Sequence, residues 1–187
     1  MLVLVAVGCR GGDDRALMPL KEGRAWTYKF RLKGIDSVGT LKVVRSLSIS
    51  NTVGYELSSP EGLSRLVWKG KELLMANGTQ GRLTPPMPIL SLTMDEIKWH
   101  GQLETIGKVA PASATIRRLK SEDGKRDTRK LEYRGRKIEC AVSVVEIEIP
   151  KRSVILETWF APGIGIVKQV QRTNEQQDVM IELLREN

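Results

Sequence analysis

Trp26-Thr27-Tyr28-Lys29-Phe30-Arg31-Leu32-Lys33 decides the fold class. Aromatic and aliphatic side chains alternate with polar and charged ones at a period of two, which puts one set on each face of an extended strand. The same reading extends outward from it. Short apolar runs recur at 40–49, 53–58, 64–68, 72–75, 97–104, 113–120, 129–133, 137–149, 153–160 and 166–171. Between them lie Asn77-Gly78, Asp123-Gly124 and Arg134-Gly135, pairs that supply positive backbone angles for tight reversals, so consecutive strands are expected to be antiparallel hairpins. Thr84-Pro85-Pro86-Met87-Pro88 cannot donate a continuous ladder of hydrogen bonds and is expected to cross from one half of the fold to the other. After Asn174, Val179, Ile181 and Leu183 alternate as in a strand, although Val179, Met180, Leu183 and Leu184 also fit one helical face; the strand is preferred. Met18 to Trp26 and Ser91 to Trp99 each lead a tryptophan into a strand after a short polar approach, an internal echo. The expectation is a mainly β protein: a curved antiparallel sheet or half-open β-barrel built of two hairpin-rich halves.

The chain has 187 residues, long enough to bury a core without disulfides or metals. With 41% hydrophobic and 28% charged residues it is too apolar to be disordered. No apolar stretch is long enough for a transmembrane helix.

Met1-Leu2-Val3-Leu4-Val5-Ala6-Val7-Gly8 is apolar, ends at Cys9, and gives way at once to Arg10-Gly11-Gly12-Asp13-Asp14. A short apolar segment closed by small residues is what a signal peptidase and the translocon require. Ala6-Val7-Gly8-Cys9 resembles the lipobox of bacterial lipoproteins, which implies that Cys9 is acylated and becomes the mature N-terminus. Two departures stand out: Ala6 occupies a position where a leucine is usual, and no cation precedes the apolar run. The alternative is that residues 2–7 form a first strand. The expected organisation is a signal peptide over 1–8, a lipidated cysteine and polar tether over 9–16, and a single β domain over 17–187. The location that follows is the bacterial cell envelope, periplasm-facing or at the cell surface, with the membrane as a partner through the lipid on Cys9.

Pro19-Leu20-x-x-Gly23-x-x-Trp26-x-Tyr28 and Trp159-Phe160-Ala161-Pro162-Gly163-Ile164-Gly165-Ile166-Val167-Lys168 make the chain similar to a group of bacterial secreted proteins and lipoproteins that includes those called TapB-like. The second motif is the more specific, since it joins a strand, a Pro-Gly turn and a glycine-led strand. The resemblance runs from Pro19 to Lys168 and is anchored at its two ends. It implies curved antiparallel sheets or half-barrels, distantly similar to periplasmic lipoprotein carriers, and brings no activity with it.

Catalytic chemistry finds little support. His100 is the only histidine, so a histidine metal site has no second ligand and a nucleophile has one possible base. Cys140 lies between Ile138 and Val142 in its strand and reads as a small core residue; were Cys9 not lipidated, a Cys9–Cys140 disulfide would be open to it. Glu146, Glu148 and Glu157 have the residue type of a paired-carboxylate hydrolase, but also that of a solvated strand face. No phosphate-binding glycine loop is present, and no cofactor or metal is expected.

The +8 charge is concentrated. Arg117, Arg118, Lys120, Lys125, Arg126, Arg129, Lys130, Arg134, Arg136 and Lys137 lie within one segment beside Glu122, Asp123, Asp127 and Glu132. Such a surface suits an anionic lipid or a cell-wall polymer. Tyr133 alone interleaves as an aromatic, which argues against stacking on nucleic acid. The expected function is a non-enzymatic binding or structural domain held at the envelope; the alternative is a carrier with a cavity for a lipid or other apolar ligand.

Overall fold

A computed structural model describes residues 14–32, 35–124, 127–174 and 176–186; Cys9 with the whole of 1–13, and Lys125 and Arg126, lie outside them. The described strands are β1 (Ala25–Leu32), β2 (Ile35–Ile49), β3 (Thr52–Ser59), β4 (Gly62–Lys69), β5 (Glu72–Gly78), β6 (Gly81–Ser91), β7 (Glu96–Thr105), β8 (Lys108–Leu119), β9 (Arg129–Tyr133), β10 (Arg136–Ile149), β11 (Arg152–Ala161), β12 (Gly165–Thr173) and β13 (Gln176–Glu186). All pairings are antiparallel. The last strand returns to the first, Tyr28 facing Leu183 and Phe30 facing Ile181, so the sheet closes into a barrel of twelve strands. The thirteenth, β9, continues the line of β8: β8 leaves β10 at Val142, and β9 rejoins the same strand at Cys140 after an excursion through 120–128.

The mainly β barrel expected from the sequence is therefore what forms, and it is closed. The C-terminal segment is a strand, as its alternation suggested. Arg134 and Gly135, both at positive φ, make the tight turn expected between β9 and β10. Three local expectations are corrected. Thr84–Pro88 lies inside β6 and crosses nothing. Its prolines act instead on the ladder, because without N–H groups at 85, 86 and 88 the pairing of β6 with β7 is confined to Arg82, Leu83 and Thr84. Asn77 and Gly78 are strand residues paired with Arg82 and Gly81, so the reversal falls two residues later, on Thr79 and Gln80. Asp123-Gly124 turns within the 120–128 excursion and joins no hairpin.

Successive hairpins place their turns alternately at two rims. One rim is closed. A short 3-10 turn, Asp14–Leu17, leads into Met18, which is completely buried there. The Gly163 amide donates to the Ala16 carbonyl at 2.8 Å, and the Trp68 indole donates to the Met18 carbonyl at 3.0 Å. The β9–β10 hairpin covers the same end, with Leu131, Tyr133 and Ile138 against the core and the Arg134 guanidinium donating to the Leu184 carbonyl. Trp26, Phe160, Leu73, Leu90 and Cys140 fill this end with no exposure.

Here the two sequence motifs meet. Trp26 Nε1 donates to the Ile164 carbonyl at 2.5 Å, Arg24 Nη2 to Gly163 at 2.5 Å, and Tyr28 Oη to Ile166 at 2.9 Å. Gly165, at φ +110°, lies so close that a Cβ there would stand 3.2 Å from Trp26 Nε1.

Candidate functional site: an apolar cavity open at one rim

Barrels of about eight strands are filled by their own side chains, whereas larger ones enclose space. In this twelve-stranded barrel the plug and the β9–β10 hairpin fill one half only. The other half holds a cavity of about 240 Å³ that opens at the rim bearing the β3–β4, β5–β6 and β10–β11 turns. Its floor is Met18, Leu57, Met87 and Ile89, all buried. Its walls are Phe30, Leu41, Met75, Leu103, Ile149 and Ile181, each on the inner face yet only half-buried. An inward apolar side chain in a closed barrel would normally lose its water entirely; these do not because no described residue packs against them from the axis.

A few polar groups interrupt the apolar lining. Ser59 and Glu61 stand at the β3–β4 turn and Gln80 at the β5–β6 turn, the last two exposed. Deeper, Thr158 of β11 and Gln169 of β12 face each other in register, with Gln169 Nε2 donating to Thr158 Oγ1 at 3.0 Å, and Gln171 follows on the same wall. Tyr28 also reaches this space, and burial holds its phenol well above the ordinary tyrosine range.

The basic segment is divided rather than gathered. Arg117, on the outer face of β8, bridges Glu96 at 3.1 Å and Glu146 at 2.7 Å, and these carboxylates push its pKa upward. Arg118 is largely buried; it donates to the Leu92 carbonyl at 2.8 Å and pairs with Asp95 and Asp127, each at 3.2 Å. Lys120 pairs with Asp95 at 2.8 Å, and hydrogen bonds from Lys120 and Arg118 hold the Asp95 carboxyl below its usual range. Arg129 donates to the Lys120 carbonyl. Arg134 lies over the Tyr133 ring at 5.3 Å. Lys130, Arg136 and Lys137 are exposed on the β9–β10 hairpin and make no ion pair to another described residue. The balancing acids were only partly visible in the sequence, since Asp95, Glu96 and Glu146 come from elsewhere in the chain.

The carboxylates considered for hydrolysis do not share a cleft. Ile147, Ile149 and Leu156 face the cavity, so Glu146, Glu148 and Glu157 stand on the outer wall. Glu146 is committed to Arg117, and Glu157 accepts from Trp159 Nε1 at 2.8 Å. His100 is exposed on the outer face of β7. Cys140 is fully buried, and burial pushes its thiol up to about 11. No group of side chains that could hold a metal ion occurs among the described residues.

Neither a family model nor a curated protein matches the chain. Solved structures do, and three of them illustrate the likeness. A candidate lipoprotein from Parabacteroides distasonis superposes with a TM-score of 0.53 at 12% identity, over 91% of this chain and 98% of that one. A candidate exported protein with a YmcC-like fold from Bacteroides fragilis gives 0.43 at 14% identity, over 91% and 98%. The hypothetical lipoprotein YmcC from Escherichia coli gives 0.45 at 12% identity, over 91% and 93%. At such identities the likeness concerns architecture, and the chain shares the barrel fold of the Parabacteroides protein.

Proposed function

We propose that this chain is a lipoprotein of the bacterial envelope, tethered through Cys9, whose barrel binds a slender apolar ligand in its open half without acting on it chemically. The observation that carries this reading is the ring of large, inward-facing, half-buried apolar side chains around an unfilled axis. Water against that ring is unfavourable, and an apolar guest would displace it. A volume of about 240 Å³ lies at the low end of small-molecule cavities, which favours a slender guest with one chain. The tether draws its support from Ala6-Val7-Gly8-Cys9 and from the name of the Parabacteroides structure, a candidate lipoprotein; the TapB-like motifs agree with an exported β domain.

The test is a fluorescence titration of the full chain with N-phenyl-1-naphthylamine, a neutral apolar dye that brightens out of water. A saturable rise is expected, abolished in Leu156→Trp, which fills the cavity from its wall. A dye response that never saturates, or one that Leu156→Trp leaves intact, refutes the reading. Intact mass of the detergent-extracted chain tests the tether: a diacylated N-terminal cysteine is expected, and an unmodified Met1 rules it out.

A second surface is favoured by the exposed Lys130, Arg136 and Lys137, which sit at the closed rim where the N-terminal segment enters the fold. The β9–β10 hairpin would there meet an anionic lipid headgroup or cell-wall polymer. Cosedimentation with phosphatidylglycerol vesicles that salt does not weaken, or that persists in a K130A/R136A/K137A chain, removes this role.

A further inference from the structure

The lining of the cavity offers hydrogen bonds but no positive charge. Gln169 and Gln171 occupy inward positions two apart on β12, beside Thr158 on β11. Gln169 spends one amide hydrogen on Thr158, and among the described residues neither its carbonyl oxygen nor the Gln171 amide has a further partner. Half-buried amides in an otherwise apolar chamber become costly once a guest displaces their water, unless the guest itself hydrogen-bonds to them. Among the lining side chains the one that carries a full charge is Glu61, exposed at the rim. A carboxylate-headed ligand would pass that negative charge and then find no cation to replace its lost water.

We infer that the ligand is a single-chain amphiphile with an uncharged hydrogen-bonding head, such as an ester, amide or alcohol. The tail lies on the floor of Met18, Leu57 and Met87, and the head lies along Thr158, Gln169 and Gln171 toward the rim. This rests on the cavity reading and adds to it a choice of chemistry. Glu61 and the absence of a lining cation discriminate against fatty acids, and the glutamine pair selects for the neutral head.

The experiment is displacement of N-phenyl-1-naphthylamine from the full chain by amphiphiles of one chain length: monododecanoylglycerol and dodecanoate, at a pH well above the carboxyl range and again below it. The glycerol ester is expected to displace the dye at a concentration at least about tenfold lower than dodecanoate at the higher pH, with the gap narrowing once the acid is protonated. A Q169L/Q171L chain is expected to lose about tenfold in affinity for the ester relative to its own affinity for the dye, which is titrated separately in the same variant. Dodecanoate binding as well as the ester at high pH overturns the inference, as does a double variant that binds the ester unchanged. Both results presuppose saturable dye binding in the unaltered chain, whose failure would instead defeat the cavity reading.

Discussion

Replacing Trp26 by phenylalanine separates the hydrogen bond that joins the two ends of the chain from the ring that fills the closed rim. Trp26 is completely buried, its indole N–H reaches the Ile164 carbonyl, and the Arg24 guanidinium stacks on it at 5.5 Å. Trp26→Phe keeps one ring and loses the donor. The lost hydrogen bond is worth about 1 kcal/mol. The space left by the smaller ring adds about 1–2 kcal/mol, part of the cost of a full truncation. A total of about 2–3 kcal/mol corresponds to a fall of roughly 4–12 °C in Tm for a chain of this size. Thermal unfolding followed by circular dichroism measures it. Trp99→Phe is the control, because Trp99 is buried to a similar degree but its Nε1 has no partner among the described residues, so it loses volume and no bond. If Trp26→Phe melts within about 2 °C of the unaltered chain, or if Trp99→Phe costs as much, the argument from the Ile164 bond is wrong.

Gly39→Ala should be destabilising by about 1–3 kcal/mol, since its Cβ would stand 2.6 Å from Pro60 Cγ and 2.8 Å from Phe30 Cε2, whereas the neighbouring exposed Val38→Ala should leave Tm unchanged. Glu56 is held between Arg45 and Arg65, both at 2.9 Å, and their hydrogen bonds keep its carboxyl below the ordinary glutamate range. A depressed folded pKa contributes stability above the unfolded value and loses it as pH falls through the folded one. Glu56→Gln should therefore lower Tm at neutral pH, and the difference should vanish in acid; an equal deficit at both refutes the assignment. Cys140, in a Cys9→Ser chain, should resist Ellman's reagent while folded and react fully in denaturant. Because its thiol pKa is raised by burial, its contribution is intact below the ordinary thiol range and fades as pH climbs toward 11. Rapid labelling of the native chain would contradict this.

The alternation of Trp26, Tyr28 and Phe30 was enough to announce the barrel wall, and the Trp159–Lys168 motif announced the corner that receives them. That the two motifs touch was not legible, because a period of two states which face a residue occupies and says nothing about which strand lies across a rim. The proline stretch misled for a local reason. Lacking donors, it was read as a chain crossing, yet a strand needs donors only where a neighbour accepts, and β6 has already parted from β7 at Thr84. The cavity was anticipated only as an alternative. Its polar wall was hidden by register, since Gln169 and Gln171 alternate with Val170, which is itself buried, and a bulge between Trp159 and Phe160 shifts the pairing just before them. The basic run was read as a surface by proximity in sequence, but Arg118 is turned inward, Asp95 arrives from the β6–β7 connection and Glu96 from the start of β7.

Every ladder but one in the barrel joins strands adjacent in the chain, or separated only by the β9 interruption; the exception is the seam between β1 and β13. That seam contains the first strand made and the last. During synthesis the early hairpins can zip up as they appear, at little entropic cost. The chamber nonetheless stays an open, greasy sheet until the final eleven residues of β13 are available. Phe30, Leu41 and Leu57 are made early and wait uncovered through most of the chain's production, so loss of β13 is expected to lead to aggregation and not to a smaller working protein.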